Sequence, residues 1–398
     1  PVGKNCIEPV CRIFTYRLLE VNDTSLYSGE AENNLTGRIE YNFRLLKGVI
    51  SSSNFYEIGS GLERKTEYSY IEVAAGQGVY TWTDYNSNGI QELDEFEVAH
   101  FIDQANFIRV INPTADYIKT YSNQINQSIN IKPEILWRNK TGIRKFLSRF
   151  SDQFAYMISQ KNTSPLFSEY ANPFNKSIDD INLVSISSSV RNSFSFNRGN
   201  PKFGFDYIFQ NNDNKLLMIN GFDTRKLLTH TLQIRYNISP KAGIVNKSGM
   251  GSKYYDSEFF NNKNYLISSK NNEFQINYQP NLNNRITIKY NYRIKENETG
   301  GEKLKINDLG LDYRLSSVKK GSLNATFNYI YYNYNADTNG FLAYEMLEGL
   351  MPGTNLTWSV SFQRQLSNGL QLNLTYNARK SADTKIIHTG GVQMRAFF

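Results

Sequence analysis

Apolar and polar residues alternate one for one along most of the second half of this chain. Phe203, Phe205, Tyr207 and Phe209 share one side of a period-two repeat, and Leu232, Ile234, Tyr236 and Ile238 repeat it. The same spacing recurs at Phe274, Ile276 and Tyr278, at Ile286, Ile288, Tyr290, Tyr292 and Ile294, at Leu309, Leu311 and Tyr313, and at Leu323, Ala325, Phe327, Tyr329 and Tyr331. Between them stand Asp206, Gln233, Arg235, Gln275, Asn277, Lys289, Arg293, Asp312, Arg314 and Asn328. Successive side chains of a strand point to opposite faces, so this spacing predicts strands with one oily and one wet face. Near the C-terminus, Leu370, Leu372, Leu374, Tyr376 and Ala378 oppose Gln371, Asn373, Thr375, Asn377 and Arg379, and Val392, Met394, Ala396 and Phe398 alternate with Gln393, Arg395 and Phe397. Upstream the pattern is clearest over residues 36–46, where Ile39, Tyr41, Phe43 and Leu45 oppose Arg38, Glu40, Asn42 and Arg44. A short connection then leads into residues 49–58 and predicts a hairpin.

The wet faces decide the fold class. Burying an unpaired ion in a dry core costs several kcal/mol, and these faces carry too many. A water-filled interior removes that cost, so the expected fold is all-β: a transmembrane antiparallel β-barrel with apolar residues toward lipid and polar ones toward the lumen. Connection lengths point the same way. Short breaks at residues 197–201, 239–240, 280–284, 316–321 and 367–369 alternate with longer ones at 211–227, 249–270, 296–302 and 335–354. Barrels of the outer membrane have short periplasmic turns and long outer loops, which places the C-terminus on the periplasmic side. Adding the pairs 36–46 with 49–58 and 125–137 with 144–158 gives roughly sixteen strands, an even number as bacterial barrels usually have. Pro133 demotes its strand to an edge or irregular position. Three regions follow: N-terminal barrel strands at 1–58, an extracellular insertion at 59–126 and C-terminal barrel strands at 127–398. The start without Met reads as a mature or truncated piece, in which case these strands form the C-terminal part of a larger barrel.

Composition agrees with this picture. The aromatic fraction is 14%, with 27 Tyr and 25 Phe, while the mean hydropathy is −0.51. Aromatic-rich strands with a polar average fit a barrel, whose rings gather at both interfaces. The net charge of +7 is scattered among acids and Asn, so no nucleic-acid partner is expected. No run of about eighteen apolar residues marks a transmembrane helix. Cys6 and Cys11 would form a local disulfide in an oxidising compartment or remain free thiols.

One motif carries specific chemistry. Asp84-Tyr85-Asn86-Ser87-Asn88-Gly89-Ile90-Gln91-Glu92-Leu93-Asp94-Glu95 has oxygen-bearing side chains at positions one, three, five, nine and twelve, and Gly at six. Calcium takes six to eight oxygens on a sharply turning loop, closed by a carboxylate that binds through both oxygens. The expected ligands are Asp84, Asn86, Asn88, the carbonyl of Ile90, Glu92 directly or through water, and Glu95. Ile at position seven and a strand-like approach depart from the helix-loop-helix form. The expected role is a weak structural site that stiffens the insertion. The same residues also spell an Asn-rich turn closed by its own side chains.

Catalytic patterns are thin, and no enzyme is expected. His100, His230 and His388 are far apart, and no Ser or Asp is tied to them by a local motif. A hydrolase built on His230 and His388 is the weaker alternative. Asp179 and Asp180 read as loop solvation, and Gly390 and Gly391 as a place for strand curvature.

The ending on Phe398 resembles the C-terminal assembly signal of bacterial outer-membrane barrels. The stretches G-Q-G-V-Y-T-W-T-D-Y-N-S-N-G-I-Q-E-L-D-E-F-E, Y-E-M-L-E-G-L-M-P-G and I-H-T-G-G-V-Q-M-R-A-F-F resemble a group of large, uncharacterised outer-membrane β-barrel proteins of Bacteroidota-type bacteria. The calcium loop is similar to those of dockerins and surface-protein repeats. The resemblance implies a Gram-negative outer-membrane location, lipid contact and envelope protein partners, and carries no catalytic residue across. No plug domain of a TonB-dependent transporter is recognisable. The leading expectation is a barrel acting in transport, protein export or cell-surface assembly. A secreted or surface multi-domain β-sandwich adhesin is the alternative from another class.

Overall fold

The computed structural model describes residues 7–17, 33–174, 181–218, 221–317, 321–367 and 369–396. Cys6, Asp179, Asp180, Phe397, Phe398 and the side chain of Cys11 lie outside that description. Among the described residues nearly everything enters one large antiparallel sheet. Its strands in chain order begin with β1 (Ile7–Arg17), β2 (Asn33–Leu45) and β3 (Ile50–Glu72). Two three-residue strands, β4 (Tyr80–Trp82) and β5 (Phe96–Val98), interrupt the series before β6 (Phe107–Ile131), β7 (Phe150–Asn162), β8 (Leu183–Phe196) and β9 (Phe203–Met218). Then come β10 (Gly221–Ser239), β11 (Ala242–Ser257), β12 (Tyr265–Asn281), β13 (Asn284–Asn297) and β14 (Lys303–Ser317). The last are β15 (Gly321–Tyr334), β16 (Gly353–Ser367), β17 (Leu370–Ser381) and β18 (Ile387–Ala396). Each long strand pairs with the next in an unbroken meander, β3 stepping directly to β6 over the short pair. No register joins β18 to β1 among the described residues.

The registers put like faces together. Ile276 lies opposite Ile288, and Tyr290 opposite both Phe274 and Leu309. These outward residues are exposed, as are Tyr236, Leu311, Phe327 and Tyr329. The other face carries ions that pair across strands: Lys247 Nζ lies 3.0 Å from Glu273, and Lys289 Nζ lies 3.3 Å from Asp312. That polar face is concave. Five strands separate β6 from β12, a flat distance of roughly 30 Å at strand spacing. Yet the segment between β3 and β6 touches both Lys263, just before β12, and Arg379 of β17. Only a sheet curled around that segment brings both within reach.

The largest apolar cluster sits inside the curl at one end. There the concave face switches from polar to apolar: Tyr265 and Ile267 of β12, Leu304 and Ile306 of β14, and Ile330 and Tyr332 of β15 are all buried. Short helices α1 (Glu134–Trp137), α2 (Ile143–Leu147) and α3 (Phe167–Tyr170) lie elsewhere. The fourth, α4 (Phe341–Leu347), covers the cluster with Ala343, Met346 and Leu347, followed by Leu350. Glu348 ends it in the left-handed conformation, and Gly349 follows at φ 73°.

Several expected boundaries shift. The strand expected at 125–137 ends at Ile131 and gives way to α1 after Pro133, while residues 144–147 of the strand expected at 144–158 belong to α2. The connection 132–149 is therefore long, on the side where short turns were expected. The long break expected at 211–227 closes to two residues, because Met218 already pairs with Gly221. Its polar residues are strand residues whose side chains find partners on β8: Ser189 donates to Asn212 at 2.8 Å and Ser187 to Asn214 at 2.5 Å. The insertion expected at 59–126 narrows to residues 73–106, since β3 and β6 stay paired out to Glu72 and Phe107.

Candidate functional site

The predicted calcium loop is the connection of a small hairpin. Trp82 of β4 pairs with Phe96 of β5, and the Thr83 amide donates to the Glu95 carbonyl at 3.0 Å. Glu95 is buried, and its carboxylate gathers the loop's two ends: Oε2 accepts from Trp82 Nε1 at 2.8 Å and from the Glu92 amide at 3.3 Å, while Oε1 accepts from the Tyr85 amide at 3.2 Å. Asp84 accepts from the amides of Asn88 (3.1 Å) and Gly89 (2.8 Å). Asn86 Oδ1 accepts from the Asn88 amide at 3.0 Å, Asn88 Oδ1 from the Ile90 amide at 2.6 Å, and Asn86 Nδ2 donates to Glu92 at 2.7 Å. Gly89 turns at φ 73°, as position six requires. The structure thus brings the side chains of Asp84, Asn86, Asn88, Glu92 and Glu95 together in one turn, with the Ile90 side chain exposed. The oxygens already accept from amides in the manner of an Asn-rich turn, and no group of three acidic, His or Cys side chains is close enough to hold a metal among the described residues.

Around this hairpin the insertion docks into the concave face. Phe96 stacks on Tyr70 of β3 at 4.0 Å and meets Phe107 edge-on at 5.0 Å. Glu97 pairs with Lys263 at 2.5 Å, both nearly out of water, and burial pushes the Glu97 carboxyl up to about 7 against the pull of Lys263. Asp103 pairs with Arg379, whose guanidinium lies 4.1 Å over the Phe101 ring.

A second segment, residues 335–352 between β15 and β16, meets the first. The His100 amide donates to Tyr344 Oη at 3.2 Å, and Tyr344 Oη donates to Gln104 at 3.4 Å. A Cβ at Gly349 would stand 3.2 Å from His100 and Phe101 on a backbone at φ 73°, a close approach in a conformation that favours Gly. The segment is tied to the wall by Glu345 with Lys253, and by Glu348 with Arg293 at 3.0 Å and Lys295 at 2.7 Å. Beneath residues 100–103 a cavity of about 290 Å³ faces the concave side of β15 to β18.

The histidines are not brought together as a catalytic group. His230 Nδ1 and Tyr207 Oη lie 2.8 Å apart on the outward face, and His388 Nδ1 and Tyr376 Oη do likewise. His100 packs against Tyr344, where burial lowers its affinity for a proton. Asp103, Arg379 and Lys263, which anchor the insertion, carry no local motif. A signal for α4 was present: Leu342, Ala343, Met346, Leu347 and Leu350 recur at helical spacing in a segment between strands. No protein-family model and no curated protein matches this chain.

Proposed function

We propose that this chain is a β-barrel of a Gram-negative outer membrane, acting in transport, protein export or cell-surface assembly with other envelope proteins. The observation that carries this reading is the exposed apolar row repeated strand after strand on the convex face, opposite a concave face of paired ions. Lipid satisfies the first face and water the second. In the sandwich reading a second sheet would have to cover the apolar rows, and the described strands form a single meander. Closure would come from β18 meeting β1, and a ring of this many strands is wide enough for an aqueous interior. Residues 73–106 and 335–352 then close its outer end from within. Calcium bound at Asp84, Asn86, Asn88, the Ile90 carbonyl, Glu92 and Glu95 stiffens the first of these segments. The support is the gathering of those oxygens in one turn with the Glu95 carboxylate at its centre. The test of the membrane reading is extraction. The protein should stay in the membrane fraction through salt and carbonate and leave it only with detergent; release without detergent overturns the reading.

A further inference from the structure

Two rows of residues cross the concave wall of β15 to β18 below the insertion. In one, Thr326, Ser359, Asn377 and Thr389 lie opposite one another from strand to strand; in the next, Asn328, Thr357, Arg379 and Ile387 do. These rows floor the cavity of about 290 Å³, and His100, Phe101 and Asp103 roof it. Its volume is near the lower end for small-molecule sites.

The polarity of the lining is specific. Hydroxyls and side-chain amides both donate and accept, so Thr326, Ser359, Asn377, Thr389, Asn328 and Thr357 match a ligand whose groups also do both. The side chains of Thr326, Ser359 and Asn377 make no hydrogen bond among the described residues. Asn328 donates to Thr357 Oγ1 at 3.1 Å, and its Oδ1, turned toward Gly310 of β14, is closed off from the cavity. The only cation of the lining, Arg379, is already neutralised by Asp103 and seated on Phe101, so the site holds no free charge for an anion. The His100 and Phe101 rings at the roof are packed against Tyr344 and Arg379, so the two polar rows of the floor carry the recognition. A peptide fits less well: it presents one N–H per residue, and the wall here is paired sheet with no free edge before β18.

We propose that this cavity binds a neutral, hydroxyl-rich small molecule, a mono- or disaccharide, held by the two polar rows and roofed by residues 100–103. The inference rests on the curled sheet and the docked insertion. It does not depend on where the protein resides.

Calorimetric titration of the full, detergent-purified chain tests it, with glucose, galactose, mannose, N-acetylglucosamine, maltose and chitobiose as probes and inorganic phosphate and glutamate as charged controls. At least one sugar should bind saturably at millimolar concentration or below, and Ser359→Val with Asn377→Leu should weaken it about tenfold or more, the worth of one or two hydrogen bonds. Thr326→Val, nearly isosteric, supplies the same comparison should the double variant not fold. No saturable heat from any of the six sugars overturns the proposal. So does tighter binding of phosphate or glutamate than of every sugar, or an affinity that the folded variant leaves unchanged. Failure of the membrane reading would appear separately, as extraction without detergent.

Discussion

Glu97 of the insertion and Lys263 of the β11–β12 connection form an ion pair at 2.5 Å whose side chains are 12% and 7% exposed. Burial dominates the carboxyl and raises it to about 7, while Lys263 only moderates the rise. A raised acid binds its proton in the docked state at pH values where the undocked segment has already released it. Docking is therefore favoured below the ordinary carboxyl range and loses up to about 3 kcal/mol as pH rises from about 4.5 to about 7, above which the loss levels off. Thermolysin cleavage within residues 73–106 should accelerate on going from about pH 5.5 to 8, relative to Glu97→Gln measured at each pH, because the amide does not titrate. The opposite slope would mean that attraction to Lys263 outweighs burial.

How much of this was legible in the sequence depended on whether a residue's partner was nearby in the pattern. The faces of β9, β10, β12 to β15 and β17 follow from alternation alone, because Ile276 and Ile288 can share a surface only if every second residue points outward. Strand ends beyond the apolar rows were hidden. Asn211 to Asn214 read as loop because polarity on both faces carries no period, and their hydrogen bonds to Ser187 and Ser189 appear only in three dimensions. For the site, the turn at Gly89 and the gathering of Asp84, Asn86, Asn88 and Glu95 were local and could be read directly. The pair Asp103–Arg379 spans 276 positions, and nothing near either residue announces the other.

Calcium should act on the hairpin of β4 and β5 and on little else. In the unmutated protein, millimolar calcium should slow proteolysis of residues 73–106, and a chelator should restore it, as for a weak structural site of the extracellular kind. The unmutated comparison is the decisive one. Glu95→Ala also removes an acceptor shared by Trp82, Tyr85 and Glu92, and would loosen the loop with or without metal. Asp84→Asn removes the charge and one of the two oxygens that accept from Asn88 and Gly89, so it should abolish the calcium response while loosening the loop by about one hydrogen bond in its absence. Identical digestion with calcium and with chelator rejects the metal.

Met346 is fully buried between α4 and the apolar end of β12, β14 and β15. Met346→Ala should cost about 2–5 kcal/mol, the range for such a truncation in a packed core. The loss should be local, because the wall strands remain paired through their own ladders. Cleavage within 335–352 should rise sharply while the sheet resists. Since Tyr344 contacts His100 and Gln104, cleavage within 73–106 should rise with it. Independent behaviour of the two segments would show that their contacts carry no coupling.

The outward face gives the sharpest separation between membrane and soluble readings. Ile288 is 47% exposed and lies beside Ile276 on the convex side. In water, Ile288→Lys at so exposed a place should change stability by no more than about 0.5 kcal/mol. In a bilayer the ammonium would sit near the middle of an apolar row and cost about 2–4 kcal/mol, as on the lipid face of transmembrane barrels. Gln275→Lys is the control, one residue from Ile276 but on the concave side, where Glu273 accepts a hydrogen bond from Gln275 and Lys289 lies opposite, so that in water the new charge costs at most about 1 kcal/mol. Urea unfolding in lipid vesicles should therefore show a large loss for Ile288→Lys and a small change for Gln275→Lys. Equal, small effects for both would place the convex face in water.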